Sequence, residues 1–457
     1  MTNKQILDAY PLSYTQMGML FHHQMNKADA VYHDIVIQQV ALPLQLTVLQ
    51  QVVDKLVSAN EILRTTLELS RFKQSLQVVH AELSTPVGLL DFPHAEPDRF
   101  QQLKQQWIEA EKQRGFDLES ASLFRVFAIY RDEQSFELIL SFHHALLDGF
   151  SVRHLTSELL RCYDLALKGQ VVEVARSPAK YRDFIAAERQ AIESVDTQQY
   201  WQSLLQGSQR SDINSAALQC AGRSHLAALV PLCSDITDEL EALRLRLNVS
   251  RKAILLAAHL RAISVLSGKS DVLTGVVVNG RPEKLGAESV LGLFLNTVPF
   301  RAHIRNQSWA EFIKAVAACD KVMLPHRRYP LGLMKKQHDG ADFFRHIFNY
   351  TSFNESAHVN KQAEDEVRGF EKTNYPFTVQ AIFNKADNRP EIYLELDGTE
   401  YTESDLQRFV TVYRNVLEQL ALNSDADCSV LSASVDKQGG ELPVFAADSI
   451  VAMFHRA

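Results

Sequence analysis

The sequence predicts a mixed α/β protein built as two lobes of similar size. Three observations predict it. The chain has 457 residues, 46% hydrophobic and 22% charged, which is an ordinary globular composition; at about 100–200 residues per domain it is long enough for two. Segments with period-two hydrophobicity alternate with segments of helical period in both halves. The pattern lapses between about 170 and 180, in a polar stretch containing Pro178, and the lobe boundary is placed there, at 175.

In the first lobe, residues 46–58 (LTVLQQVVDKLVS) repeat their apolar positions at helical spacing. Residues 63–69 (LRTTLEL) and 121–130 (ASLFRVFAIY) read as strands. In QSFELILSFHH, Phe136, Leu138, Leu140 and Phe142 share one face of a strand. After Gly149, Val152, Leu155, Leu159 and Tyr163 recur at i+3/i+4 spacing and Gly169 is a stop signal, which predicts an amphipathic helix. The segment 135–168 is therefore strand, tight loop, helix.

The second lobe repeats the mixture. Residues 225–232 read as a strand and 235–247 as a helix, and Ser250 caps a further helix through Ile254, Leu255 and Leu260. Residues 271–281 read as a strand and 308–323 as a helix; 377–384 and 391–398 read as a strand pair. Thr402 with Asp405 forms a capping-box variant opening the last long helix. The polar segment 206–224 is expected at the surface.

Charge and cysteine content exclude several classes. The 47 Lys+Arg and 55 Asp+Glu give a net charge of −8, which argues against non-specific nucleic-acid binding. No apolar run approaches the roughly 18 residues of a membrane span, and the first residues do not form a signal peptide. Cys162, Cys220, Cys233, Cys319 and Cys428 are widely spaced and form no CxxC, so neither a disulfide framework nor a zinc knuckle is expected, and a cytoplasmic location is.

Chemistry concentrates in His143-His144-Ala145-Leu146-Leu147-Asp148-Gly149, where two histidines end an apolar strand and Asp-Gly precedes a helix. If the strand extends that far, His144 continues the face of Phe142 and His143 points the other way. A histidine held at a strand end can exchange a proton near neutral pH. Asp148 can pair with an arginine or accept backbone N–H groups at the helix start, and Gly149 can permit the tight turn. A satisfied core histidine pair beside a helix cap fits the same residues. Metal binding does not, because adjacent strand residues point apart and no further ligand has usable spacing.

HHALLDG resembles the HHxxxDG signature of condensation domains of nonribosomal peptide synthetases, members of the chloramphenicol-acetyltransferase-like acyltransferases. Other motifs of that family follow in order. Pro11-Leu12-Ser13, Gln16 and Gly18-Met19-Leu20-Phe21-His22 resemble its opening motif in the GMLFH form. Asn60-Glu61-Ile62-Leu63-Arg64-Thr65 resembles RHxxLRT, departing at the first two positions. Tyr181-Arg182-Asp183-Phe184 resembles YxDF, and Tyr200-Trp201 the YW after it. Asn279-Gly280-Arg281-Pro282 and Leu291-Gly292-Leu293-Phe294-Leu295-Asn296-Thr297 resemble the segments ending in GRP and GxFxNT. Tyr329-Pro330 and Phe348-Asn349-Tyr350 echo the last motifs.

The resemblance implies two acyltransferase-like lobes in a V-shaped pseudodimer with a central tunnel: residues 1–175 with the histidine motif, then 176–438. It implies amide formation between a donor acyl thioester and the amine of an aminoacyl thioester on a carrier's phosphopantetheine arm. His144 is then the central catalytic residue, as base or as positioner of the amine. His143 and Asp148 have structural roles, Gly149 completes the motif, Arg64 and Arg281 are the candidate partners of Asp148, and Asn296, Phe294 and Tyr329 are tunnel candidates. Heterocyclisation domains replace the first histidines with Asp, epimerisation domains continue the motif with Ser-Trp, and plant-type acyltransferases carry DFGWG; none of these fits. The GMLFH opening is similar to that of domains with D-configured or otherwise unusual donors.

The implied partners are a peptidyl carrier domain, an adenylation domain in the same polypeptide, and an acyl-CoA or acyl-carrier donor, with no nucleic acid, no membrane span and no cofactor or metal bound by the chain itself. Residues 439–457, ending SIVAMFHRA, resemble a linker and the first helix of an adenylation domain. A motif close to the first residue suggests a starter (lipoinitiation) domain, with an elongation domain as the alternative and a catalytically silent docking platform as a further one. His326-Arg327-Arg328 with Lys335-Lys336 could offer a basic surface to an acidic carrier, or be a solvated face.

Overall fold

The chain opens with β1 (Ile6–Pro11), α1 (Tyr14–Met25), β2 (His33–Val40) and α2 (Leu46–Ala59), and continues through β3 (Thr65–Glu68), β4 (Leu76–His80), β5 (Val87–Leu90), α3 (Pro97–Arg114), β6 (Phe124–Asp132), β7 (Ser135–His143) and α4 (Gly149–Leu167). The second half runs α5 (Tyr181–Glu193), α6 (Val195–Leu205), β8 (Leu226–Leu229), α7 (Ser234–Leu247), α8 (Arg251–Ser267), β9 (Asp271–Asn279), β10 (Leu295–His303), α9 (Trp309–Met323), α10 (Leu331–Gln337), β11 (His346–Phe353), β12 (Phe377–Asn384), β13 (Arg389–Leu396) and α11 (Glu403–Leu422). This computed structural model describes residues 5–25, 32–90, 92, 97–119, 122–215, 225–353, 375–384 and 389–430. The expected adenylation-like segment 439–457 lies outside them.

The strands form three sheets, ordered β1-β4-β3, β2-β7-β6-β5 and β10-β9-β11-β12-β13-β8. Pairing is mostly antiparallel; β5 runs parallel to β6, and β11 parallel to both β9 and β12. The alternation read in β7 decides the layering of the first half. Phe136, Leu138, Leu140 and Phe142 join Val52, Val53 and Leu56 of α2 and Leu155 and Leu159 of α4 in one core. Ile139, on the other face, meets Ile35, Ile37 and Ile129 and the α3 residues Phe100 and Ile108. The six-stranded sheet supports the second core with α7, α8, α9 and α11, and α8 is buried on nearly every face, as its all-round apolar sequence requires.

The helix starts follow their caps. Ser250 Oγ accepts from Ala253 N at 3.1 Å, and Thr402 and Asp405 exchange bonds across the first turn of α11. Gly169, at φ +69°, lies just past the end of α4. The strand expected over 63–69 begins later, at Thr65, because Glu61–Arg64 winds as a 3-10 turn that continues the chain out of α2.

Two motif segments from the second half close onto the first core. Tyr181, Phe184 and Ile185 of α5, with Leu291 and Phe294, pack among the β7 and α4 side chains. The rings of Tyr181, Phe184 and Phe294 meet one another at centroid distances of 5.1–5.6 Å. Two glycines let the backbone approach this wedge. A Cβ on Gly292 would lie 2.3 Å from Tyr181, and one on Gly280 would lie 2.7 Å from Phe184.

Candidate active site

β7 ends at His143, and the chain turns at once, with Leu146 N donating to His143 O at 2.8 Å. The antiparallel register sets His33 opposite His143 and Asp34 opposite Phe142, so Asp34 stands on the face that His144 continues. His144 is tied to β2 twice. Its N–H donates to Tyr32 O at 2.8 Å, and its Nδ1 lies 2.5 Å from Asp34 Oδ2. Tyr32 itself has φ +66°, a left-handed conformation uncommon outside glycine, and its ring stacks beside that of His144 at 6.5 Å. Both His144 and Asp34 are buried.

His143 points to the opposite face, near His23, His33 and Phe116. Its Nδ1 accepts from Ala145 N at 3.1 Å, which braces the turn. Burial, then the neighbouring histidines, hold its pKa well below the ordinary 6.5, so it is neutral at pH 7.

Asp148 caps α4 and joins the halves of the chain. Oδ1 accepts from Ser151 N at 2.8 Å, and Oδ2 from Phe294 N at 3.1 Å. Its own N–H donates to Gly292 O, and Ser151 Oγ bonds both Gly292 O and the Arg281 guanidinium. Arg281 Nη2 reaches Asp148 Oδ1 at 3.4 Å, and its guanidinium lies over the Phe294 ring at 3.9 Å. Arg281 also donates to Ala287 O and Val290 O, which fixes the loop between β9 and β10.

The opening motif braces the same turn. Ser13 and Gln16 exchange N-cap bonds at the start of α1, and Gln16 Nε2 then donates to Ala145 O at 2.9 Å. From α1, Thr15 Oγ1 donates to Leu295 O of β10.

Several expectations need correction. Arg64 does not pair with Asp148; buried beyond the end of α2, it donates to Val57 O, Ser58 O, His80 O and Ala81 O, so it welds the 3-10 turn to β4. Gly149 supplies no required backbone freedom: it starts α4 with ordinary φ, and a Cβ there would meet open space. The turn's geometry is set instead by Asp148 and by the His143 and Gln16 contacts. Phe294 is fully buried within the aromatic wedge and cannot line a tunnel. Asn296, which is half-buried, keeps its place among the tunnel candidates; its Nδ2 donates to Tyr329 O and Arg327 O, while the buried Tyr329 hydroxyl accepts from Gln337. In the candidate basic surface, Arg327 and Arg328 share the single carboxylate of Glu283 and donate to backbone carbonyls, and Lys335 pairs with Asp342. Asp34 went unread in the sequence, since an acidic residue 110 positions from His144 carries no local signal.

A family model, described as condensation domain, matches residues 6–442. The chain is 31% identical over 352 residues, 76% of its length, to the AMB antimetabolite synthetase AmbE of Pseudomonas aeruginosa. It is 24% identical over 434 residues, 91% of its length, to bacitracin synthase 1 of Bacillus licheniformis. It spans only 16% and 8% of those relatives' lengths. The starter condensation domain of the rhizomide synthetase RzmA superposes with a TM-score of 0.75 at 16% identity, over 93% of this chain and 99% of that one. A variant of that domain was solved in complex with C8-CoA and Leu-SNAC, at a TM-score of 0.73 and 16% identity over 94% of this chain and 97% of that one. The fold is that of solved condensation domains. The chain belongs to the condensation-domain family of nonribosomal peptide synthetases, whose members are amide-forming acyltransferases.

Proposed function

We propose that this domain joins a donor acyl thioester to the amine of an aminoacyl thioester carried on a phosphopantetheine arm, with His144 as the group that handles the amine. The observation that carries this reading is the placement of His144: a buried imidazole held by the β2 edge at the first turn after β7, where segments of both halves converge. A rigidly held histidine can take the proton that the amine sheds as nitrogen attacks the thioester carbonyl. The C–N bond forms, the C–S bond breaks, and the proton leaves with the thiol. The carrier and the adenylation domain supply the acceptor; the chain's own residues bind and orient.

For the donor, the reading is an acyl-CoA or acyl carrier, as in starter domains. The support is the fold likeness to the RzmA starter domain and that domain's complex with C8-CoA and Leu-SNAC. The test is intact-protein mass spectrometry of an aminoacyl-loaded carrier mixed with acetyl-, octanoyl- or dodecanoyl-CoA. The expected result is an acyl increment that requires this protein and falls by about 10²-fold or more in His144→Ala, the range a positioned general base supplies. Transfer from a peptidyl carrier alone would replace the starter reading with an elongation domain. Unchanged transfer with His144→Ala would overturn the assignment of His144.

A further inference from the structure

We infer that Asp34 is a positioning residue for His144: its carboxylate fixes the imidazole tautomer and orientation so that Nε2 is the basic nitrogen. This rests on the reading of His144 as the group that takes the amine's proton.

Three observations carry the inference. Asp34 Oδ2 lies 2.5 Å from His144 Nδ1, a short contact between two buried side chains. A carboxylate oxygen can only accept, so Nδ1 carries the hydrogen, and in the neutral ring the lone pair for proton uptake is then on Nε2. The placement is also built into the sheet. Asp34 is the second residue of β2, paired opposite Phe142 on the face that continues to His144, and the neighbouring backbone bond from His144 N to Tyr32 O holds the two segments in register. Finally, the acid of the histidine motif itself is engaged elsewhere, since Asp148 accepts from Ser151, Phe294 and Arg281 and does not orient the histidine.

The chemistry follows. When Nε2 takes a proton from the amine, a positive charge develops on the ring in a buried site, and the Asp34 carboxylate stabilises it. The same proton can then pass from Nε2 to the departing sulfur, so the ring returns to its starting tautomer and no other co-reactant is needed. Among the described residues, His143 beside it on the turn, Tyr32 with its ring 6.5 Å from that of His144, and His23 and His33 beyond His143 are titratable neighbours of the pair. Asp34 supplies the negative charge beside the ring, so its removal disfavours the imidazolium, and the acid limb of the rate, where Nε2 becomes protonated, moves to lower pH.

Two measurements test this on the intact protein. Isotope-labelled imidazole NMR, with the His144 signals assigned by their loss in His144→Ala, reads the tautomer without any turnover; the expected state is Nδ1–H. The acyl-transfer assay with octanoyl-CoA is then run on Asp34→Asn and Asp34→Glu. Asp34→Asn should lose about 10²-fold in kcat, a share of the 10²–10⁴-fold that a positioned base contributes, with KM little changed and the acid limb at lower pH; Asp34→Glu should recover part of the rate. An Nε2–H tautomer in the wild-type protein, or an Asp34→Asn enzyme with unchanged kcat and pH profile, overturns the inference. A fully active His144→Ala enzyme would instead remove the reading of His144, while the tautomer measurement still tells whether Asp34 orients the ring.

Discussion

Asp148 receives hydrogen bonds from three donors that belong to two different halves of the chain: Ser151 N, Phe294 N and the Arg281 guanidinium. Burial lowers the pKa of Arg281, with Asp148 opposing the shift, so the pair is held together in a poorly hydrated site. Breaking such a pair by removing one partner leaves an uncompensated buried charge. Arg281→Ala should therefore lower stability by about 3 kcal/mol, read as a shifted urea midpoint. Arg64→Ala should leave the Asp148 clamp intact, because its guanidinium serves carbonyls of another turn. The sequence made both arginines equal candidates for Asp148. Side-chain reach across more than a hundred residues of chain decided between them, and no local pattern encodes that.

At the scale of elements, the junction of α1 with α5 carries an unusual group. Glu188 of α5 is buried, and its carboxylate accepts the N–H of Tyr14 at the start of α1, at 3.2 Å. Burial pushes its pKa from 4.5 to about 7, against the opposing effects of that hydrogen bond and of Arg189. The folded protein thus holds a proton that the unfolded chain releases near 4.5. Its contribution to stability is fully present below 4.5 and lost as pH rises through 7, about 3 kcal/mol in all. Glu188→Gln removes this dependence, so the difference in urea midpoint between variant and wild type should grow in favour of the variant from pH 5 to about pH 8. A constant difference would show that Glu188 does not titrate in that range. The element boundaries themselves were largely legible: the β7 alternation, the α4 periodicity and the caps at Ser250 and Thr402 all act within a few residues. The late start of β3 was not, because the 3-10 turn before it is held by Arg64 contacts made across the fold.

For the whole molecule, buried histidines oppose Glu188. His33 and His346 are both lowered to about 4, chiefly by burial, and His259 and His143 lie well below the ordinary 6.5. His259 and His346 share the Thr274 hydroxyl, and the chain of bonds ends at Tyr413 and at Ser211 O, so proton uptake there disrupts the second core. A histidine depressed on folding gives stability that is present above 6.5 and lost as pH falls toward 4, about 3 kcal/mol for each of His33 and His346. Two such groups outweigh the opposite slope from Glu188 even before His259 and His143 are added. The protein should therefore lose stability between pH 6.5 and 4. The fluorescence of the fully buried Trp201 and Trp309 should report a much lower urea midpoint at the acid end. Equal midpoints at both ends would contradict the burial of these imidazoles.

By itself the sequence determined the alternation of strands and helices, the α/β class and the histidine motif with its family, because periodicity, caps and motif order are written in neighbouring residues. Only the tertiary structure decided which arginine meets Asp148, that Phe294 is a wedge and not a wall, that Asn296 serves Tyr329 and Arg327, and that Asp34 stands at His144. Those facts depend on strand register and on side chains meeting across two cores, and contacts between distant segments leave no trace in local sequence.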